Sequence, residues 1–167
     1  MQNIDRIASL IEAKKPDYLS LSDKVWDLAE LRYEEHQSVG AHIAMLEREG
    51  FKVTPGVAGI PTAFMAEAGS GAPLIGFLGE YDALSGLSQK SGTTERISAG
   101  GANGQGCGHN LLGTGALLAA VAVRDYLAAN KLPGTIRYYG CPAEEGGSGK
   151  TFMAREGIFA DLDAAVT

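Results

Sequence analysis

The chain has 167 residues, 45% of them hydrophobic and 20% charged, and its 14 Lys and Arg against 20 Asp and Glu give a formal net charge of -6. That is enough chain and apolar material for one buried core, and too balanced a composition for a disordered segment. The acidic balance and the lack of any Lys/Arg run exclude a nucleic-acid or anionic-membrane partner, because nothing would gather phosphates, and leave a small molecule as the expected partner.

Met1 to Arg6 places charged and polar residues where a signal peptide needs an apolar core, and the longest apolar run, Leu111 to Val123, is short for a bilayer span. The expected location is cytoplasmic, where thiols stay reduced, so Cys107 and Cys141 are read as free thiols, the first as a ligand and the second as a strand-end residue. Ile4, Ile7, Leu10 and Ile11 share one helical face, and Lys14-Lys15 followed by Pro16 ends a short first helix. From Asp17 the pattern Leu21, Val25, Leu28, Ala29 predicts a second helix, and Ser38 is placed to cap a third that runs through Ile43 and Leu46 to Gly50. Strands follow at Phe51 to Thr54, Thr62 to Ala68 and Leu74 to Leu78, the last a continuous apolar run of the kind buried on both faces.

Residues 83 to 108 lose all periodicity in Gly, Ser, Thr and Gln, as functional or mobile loops do, and deliver the chain to Gly106-Cys107-Gly108-His109-Asn110. A helix rich in small residues then runs from Leu111 to about Asn130 and is closed by Pro133-Gly134. Thr135 to Tyr139 is a strand, residues 148 to 156 a short helix, and Leu162 to Val166 a final strand. The predicted fold is α/β, a three-layer α/β/α domain on a mostly parallel mixed sheet, with residues 1–50 a helical lead-in and 51–167 the sheet and its loops. A site belongs at the carboxyl ends of the strands, where the loops converge.

A thiol and an imidazole two residues apart cannot both reach one ion from a regular helix, but they can from a Gly-flanked loop, and Glu144-Glu145 one helix and one strand later supply the missing carboxylates. Two loops are therefore read as halves of a metal site. The bland alternatives are a small buried Cys beside a structural His, and a solvated acidic turn, although two carboxylates directly after a buried strand are unfavourable without a cation. Asp82, in Glu80-Tyr81-Asp82 at a strand end, is either a polar strand exit or the residue that orients a ligand.

Gly146-Gly147-Ser148-Gly149-Lys150-Thr151 imitates a phosphate-binding loop, but the pattern requires Gly where Glu144 stands, and two carboxylates would repel a triphosphate. Gly101 to Gly108 lacks dinucleotide-binding spacing, and a Cys107 nucleophile with His109 is weak because catalytic dyads come together from distant segments.

Gly106 to Asn110, Pro142 to Gly149, and Leu31-Arg32-Tyr33-Glu34-Glu35 followed by Ser38 resemble the dinuclear metal amidohydrolases of the aminoacylase and carboxypeptidase type. Gly79 to Leu84 and Gly140 to Thr151 are similar in more detail to the aminobenzoyl-glutamate hydrolase branch of that family. The resemblance spans nearly the whole chain. It implies a zinc-exopeptidase-like catalytic domain in which Cys107, His109 and Glu145 ligate metal and Glu144 is the general base that deprotonates a metal-bound water; from its place at the strand end, Asp82 is set beside Glu144 in the candidate catalytic set. It implies two divalent ions, a small N-acyl amino acid substrate cleaved at its amide bond, and a partner subunit of the same hydrolase; thiolate and imidazole ligands make zinc the first expectation, and carboxylate and water make manganese the second. Gln105 stands where many relatives have His, and Asn110 where many have Asp; neither is a ligand position in the family, so tuning rather than loss is expected. Family members are much longer, add two histidine ligands further on, and carry an inserted lid and dimerisation domain. The chain is thus expected to be the N-terminal part of such an enzyme, by truncation or gene splitting, with a non-catalytic metal-binding module as the competing class. His36 and His42, the remaining histidines, are expected at the surface of the N-terminal helices.

Overall fold

The structure is a computed structural model that describes residues 3–167. Its first element, α1 (Asn3–Leu28), is one helix where two were expected, with Pro16 inside it. A proline within a helix leaves the carbonyl four residues back without its partner. Here Pro16 is exposed, so the freed carbonyl of Glu12 faces water, while Tyr18, Leu21 and Val25 continue the buried face against α3 (His109–Ala129). Packing on both sides of the proline overrides the local break.

The helix α2 (His36–Arg48) begins before the expected cap, and Ser38 lies inside it. The cap comes from upstream: the Glu30 carboxylate accepts from the backbone N–H of Gln37 at 3.0 Å and of Ser38 at 2.8 Å, and from the Ser38 hydroxyl at 2.7 Å. Burial alone would raise the Glu30 carboxyl, but these hydrogen bonds outweigh it and hold the group below its ordinary value.

After α2 come β1 (Lys52–Pro55), β2 (Phe64–Ser70) and β3 (Leu74–Gly79), then a two-stranded pair of β4 (Leu84–Ser85) with β5 (Asn103–Gly104) that pins the base of the long, mostly exposed loop. Beyond α3 follow β6 (Gly134–Gly140), the single turn α4 (Glu144–Gly147), α5 (Gly149–Arg155) and the edge strand β7 (Ala164–Val166). The main sheet has the order β1-β2-β6-β3-β7, antiparallel through β1, β2 and β6 and parallel through β6, β3 and β7.

Strand alternation builds two cores. Phe64, Ala66, Phe77, Ile136 and Tyr138 face the layer of α1, α2 and α3, whereas Met65, Leu78 and Tyr139 face Met153, Ile158, Phe159 and Leu162. The result is the expected α/β/α arrangement around a mixed sheet. By length and apolar composition α3 would suffice to cross a bilayer, but in this fold it packs on α1, β3 and β6. Gly113 allows this: a Cβ there would collide with the carbonyl oxygen of Glu80, so helix and strand end approach as only glycine permits.

His42 is not at the surface. It is fully buried, its ring centroid 5.3 Å from that of Tyr81 and 6.3 Å from that of Tyr138, with Nδ1 2.9 Å from the Ser38 carbonyl oxygen. It lies on the inner face of α2, and the sequence of that short helix gives no sign of the aromatic layer that covers it. Burial pushes its pKa down to about 4. Below pH 6.5 the unfolded chain takes up a proton that the folded chain refuses until about pH 4, so stability falls as pH drops through that window. Across it the wild-type chain should lose roughly 3 kcal/mol more than His42→Phe in urea unfolding. Parallel pH curves for the two proteins would show that His42 is not the buried neutral ring described.

Candidate metal centre

The site forms where β3, β6 and α3 meet. Gly108, with φ 80°, turns the chain into α3 in the left-handed region and makes His109 the first helical residue, so that a loop thiol and a helix-end imidazole face the same space. Cys107 is exposed and His109 is 2% exposed. At the end of β6, Ala143 also takes a left-handed conformation (φ 57°), which turns Glu144 and Glu145 back over the strand ends. The two loops read from the sequence do converge: the donor atoms of Cys107, His109 and Glu145 lie within 4.8 Å of one another.

Asp82 joins the halves. One carboxylate oxygen is 3.0 Å from His109 Nδ1, and the other accepts the Glu145 backbone N–H at 2.8 Å. Nδ1 is also 3.0 Å from the Asp82 carbonyl oxygen, which fixes the ring with Nε2 turned toward Glu80 and Glu144. Burial opposes charge on His109, but the carboxylate of Asp82 outweighs it, with Cys107 and Glu145 adding to the effect, and its pKa rises to about 9.

A second trio shares the same imidazole. Glu80 Oε2 is 2.9 Å and Glu144 Oε2 3.7 Å from His109 Nε2, and the donor atoms of these three residues also lie within 4.8 Å of one another. Glu80 is not among the ligands or bases that the sequence suggests; its signal there is only its place at the end of an apolar strand, two residues before Asp82. Its other oxygen pairs with Lys150, the lysine of the phosphate-loop imitation, which therefore points to a carboxylate. Gln105 and Asn110 serve the framework. Gln105 bridges the Tyr81 carbonyl and the Asn110 backbone N–H, and Asn110 donates to the Ser22 hydroxyl at 3.0 Å, tying α3 to α1. Cys141 is buried at the end of β6, and burial pushes its thiol up, which keeps it protonated and inert.

The donors fit a metal on an observation independent of any pattern: Glu145 Oε1 is buried and has no hydrogen-bond partner among the described residues. A buried carboxylate oxygen left unsatisfied costs on the order of 1–3 kcal/mol or more, a cost that a cation between it, the thiolate and the imidazole would remove. Thiolate, imidazole and carboxylate are the donors zinc takes.

Residues 76–167 match the model of peptidase family M20/M25/M40. The chain is 53% identical over its whole length to a subunit of the p-aminobenzoyl-glutamate hydrolase of Escherichia coli, and covers 35% of that protein. Among solved structures, a putative aminohydrolase from methicillin-resistant Staphylococcus aureus superposes with a TM-score of 0.79 at 18% identity, over 98% of this chain and 41% of that one. The Bacillus subtilis YXEP protein, described as a dinuclear metal binding peptidase of the M20 family, gives a TM-score of 0.66 at 22% identity, over 90% of this chain and 42% of that one. The chain spans about a third of the length of the curated relatives it matches.

Proposed function

The chain belongs to peptidase family M20/M25/M40, and from that premise we propose that it supplies the metal-binding part of an amidohydrolase that cleaves the amide of an N-acyl amino acid, aminobenzoyl-glutamate or a close analogue. The observation that carries the reading is Glu145, which has a buried oxygen without a partner and a carboxylate oxygen within 4.8 Å of the Cys107 and His109 donors.

Cys107, His109 and Glu145 would hold an ion, with Glu80 on the far side of the shared imidazole. Bound there, divalent metal would polarise the scissile carbonyl and acidify a water. Asp82 holds the His109 ring through Nδ1, so that Nε2 points away from it, and anchors the turn that carries Glu145. Glu144, with 47% of its side chain exposed, stands at the mouth of the site, takes the proton of the attacking water and returns it to the leaving amine. A reducing, cytoplasmic setting keeps the exposed Cys107 available as a thiolate ligand. The relationship to one subunit of the Escherichia coli hydrolase supports a partner subunit in the assembled enzyme.

A second reading is a module that binds metal without turnover on its own, and the sharing of His109 between both trios favours it for the isolated chain. One imidazole cannot complete two sites, so the 167-residue chain alone should show little amide hydrolysis. The test begins with metal. Purified chain, stripped by chelator, should take up zinc and gain thermal stability, with manganese weaker in direct competition because it does not favour thiolate. No uptake and no gain in melting temperature with either ion would overturn the proposal.

A further inference from the structure

The Tyr33-Glu34-Glu35 segment has no part in the chemistry above, yet it lies against the turn that carries Glu144 and Glu145. A bridge between Leu31 and Ala83, and a hydrogen bond from the Ala83 N–H to the Glu30 carbonyl at 2.8 Å, fasten this segment beside the end of β3. From there Glu35 Oε1 accepts the Ala143 backbone N–H at 2.8 Å, and the Tyr33 hydroxyl donates to the Gly147 carbonyl at 2.5 Å. The two contacts grip the turn at its two ends, one residue before Glu144 and two after Glu145.

Glu35 is fully buried, and its Oε2 has no hydrogen-bond partner among the described residues. Burial holds its carboxyl above the ordinary value, and the nearby Thr62 hydroxyl, itself buried, pulls the other way without completing a hydrogen bond to it. A buried carboxyl with one oxygen unsatisfied lowers stability compared with an apolar side chain of similar size. Its presence is therefore not explained by packing. What it supplies is an acceptor for the N–H of Ala143, whose left-handed backbone aims both acidic residues.

We propose that Glu35 and Tyr33 are positioning residues that clamp the 143–147 turn and thereby place the Glu145 carboxylate for metal and Glu144 beside it. This rests on the reading of Cys107, His109 and Glu145 as metal ligands. A clamp of this kind acts through the ligand it orients, and loss of such a partner weakens metal binding about tenfold to a hundredfold.

The test uses the 167-residue chain and zinc alone, with affinity from calorimetry and stability from thermal unfolding without metal. Glu35→Leu should bind zinc about tenfold or more weakly, and its metal-free melting temperature reads separately the balance between removing the unsatisfied carboxyl and orphaning the buried Ala143 N–H. Glu35→Gln keeps an acceptor oxygen for Ala143 and should bind zinc near the wild-type value, a rescue that a merely space-filling role would not predict. Wild-type affinity in Glu35→Leu, or equal loss in Leu and Gln variants, overturns the clamp. If Glu35→Leu does not fold, Tyr33→Phe decides, since it removes one hydroxyl at a half-exposed residue: weakened zinc binding supports the clamp and unchanged binding overturns it. Cys107→Ser separates the two levels. Zinc loss in Cys107→Ser without loss in Glu35→Leu rejects the clamp alone, whereas wild-type affinity in Cys107→Ser rejects the ligand assignment and the clamp with it.

Discussion

Glu144→Gln is expected to abolish most amide hydrolysis while leaving fold and metal content intact. The setting for this measurement is a chimera in which the present chain replaces the matching third of the Escherichia coli relative, so that the rest of the enzyme is supplied. Gln is nearly isosteric with Glu but cannot accept a proton from an attacking water, and loss of a general base costs on the order of a hundredfold to ten-thousandfold in kcat. The fold should not notice, because the Glu144 side chain is 47% exposed and its only described partner is His109 Nε2 at 3.7 Å. Glu145→Gln, one residue on, should behave in the opposite order and lose metal before activity is limited by anything else, since Glu145 carries the buried oxygen that lacks a partner. Aminobenzoyl-glutamate cleavage followed by release of aminobenzoate, with metal content measured on the same samples, separates the two. Full activity in Glu144→Gln would remove it from the mechanism, and loss of metal in that variant would make it a ligand.

The parts of this site that were legible in the sequence are those whose signal is local. Glycines on both sides of Cys107 and before His109 mark a loop able to turn two donors toward one point, and a diacid directly after the apolar run of β6 is too costly to be ordinary surface. The strands are legible for the same reason, because alternation and continuous apolar runs are set by burial within each segment. What escaped depends on partners far away in the chain. Pro16 reads as a helix end, and only the packing of Tyr18, Leu21 and Val25 on α3 carries the helix through. Ser38 reads as a cap, but the cap is the Glu30 side chain eight residues earlier. His42 reads as a surface histidine until Tyr81 and Tyr138 close over it, and Glu35 has no signal of its own, since its carboxylate accepts from Ala143, 108 residues later.

The imidazole of His109 is where the two trios of donors meet, so His109→Ala should have the largest effect on metal of any single change at the site. Its removal takes a ligand from the Cys107, His109 and Glu145 group and from the Glu80, His109 and Glu144 group at once. It also leaves Asp82, 1% exposed, with one oxygen facing space that the imidazole had filled. Loss of a residue that merely orients a ligand costs about tenfold to a hundredfold in affinity, so loss of the ligand itself should cost on the order of a hundredfold or more. Asp82→Asn provides the calibration: it keeps an oxygen for one neighbour but not the charge, and should fall within the lower of those ranges. A competing role for His109 is that of a structural cation, because its raised pKa of about 9 would let it neutralise Glu80 and Asp82 in the metal-free chain. The two roles predict different pairs of measurements. A ligand loses zinc affinity on removal whether or not the metal-free chain is destabilised, as read by competition against a chromophoric chelator. A structural cation lowers the metal-free melting temperature on removal and leaves the zinc affinity of the folded fraction unchanged; that second result would dissolve the metal centre proposed for Cys107, His109 and Glu145.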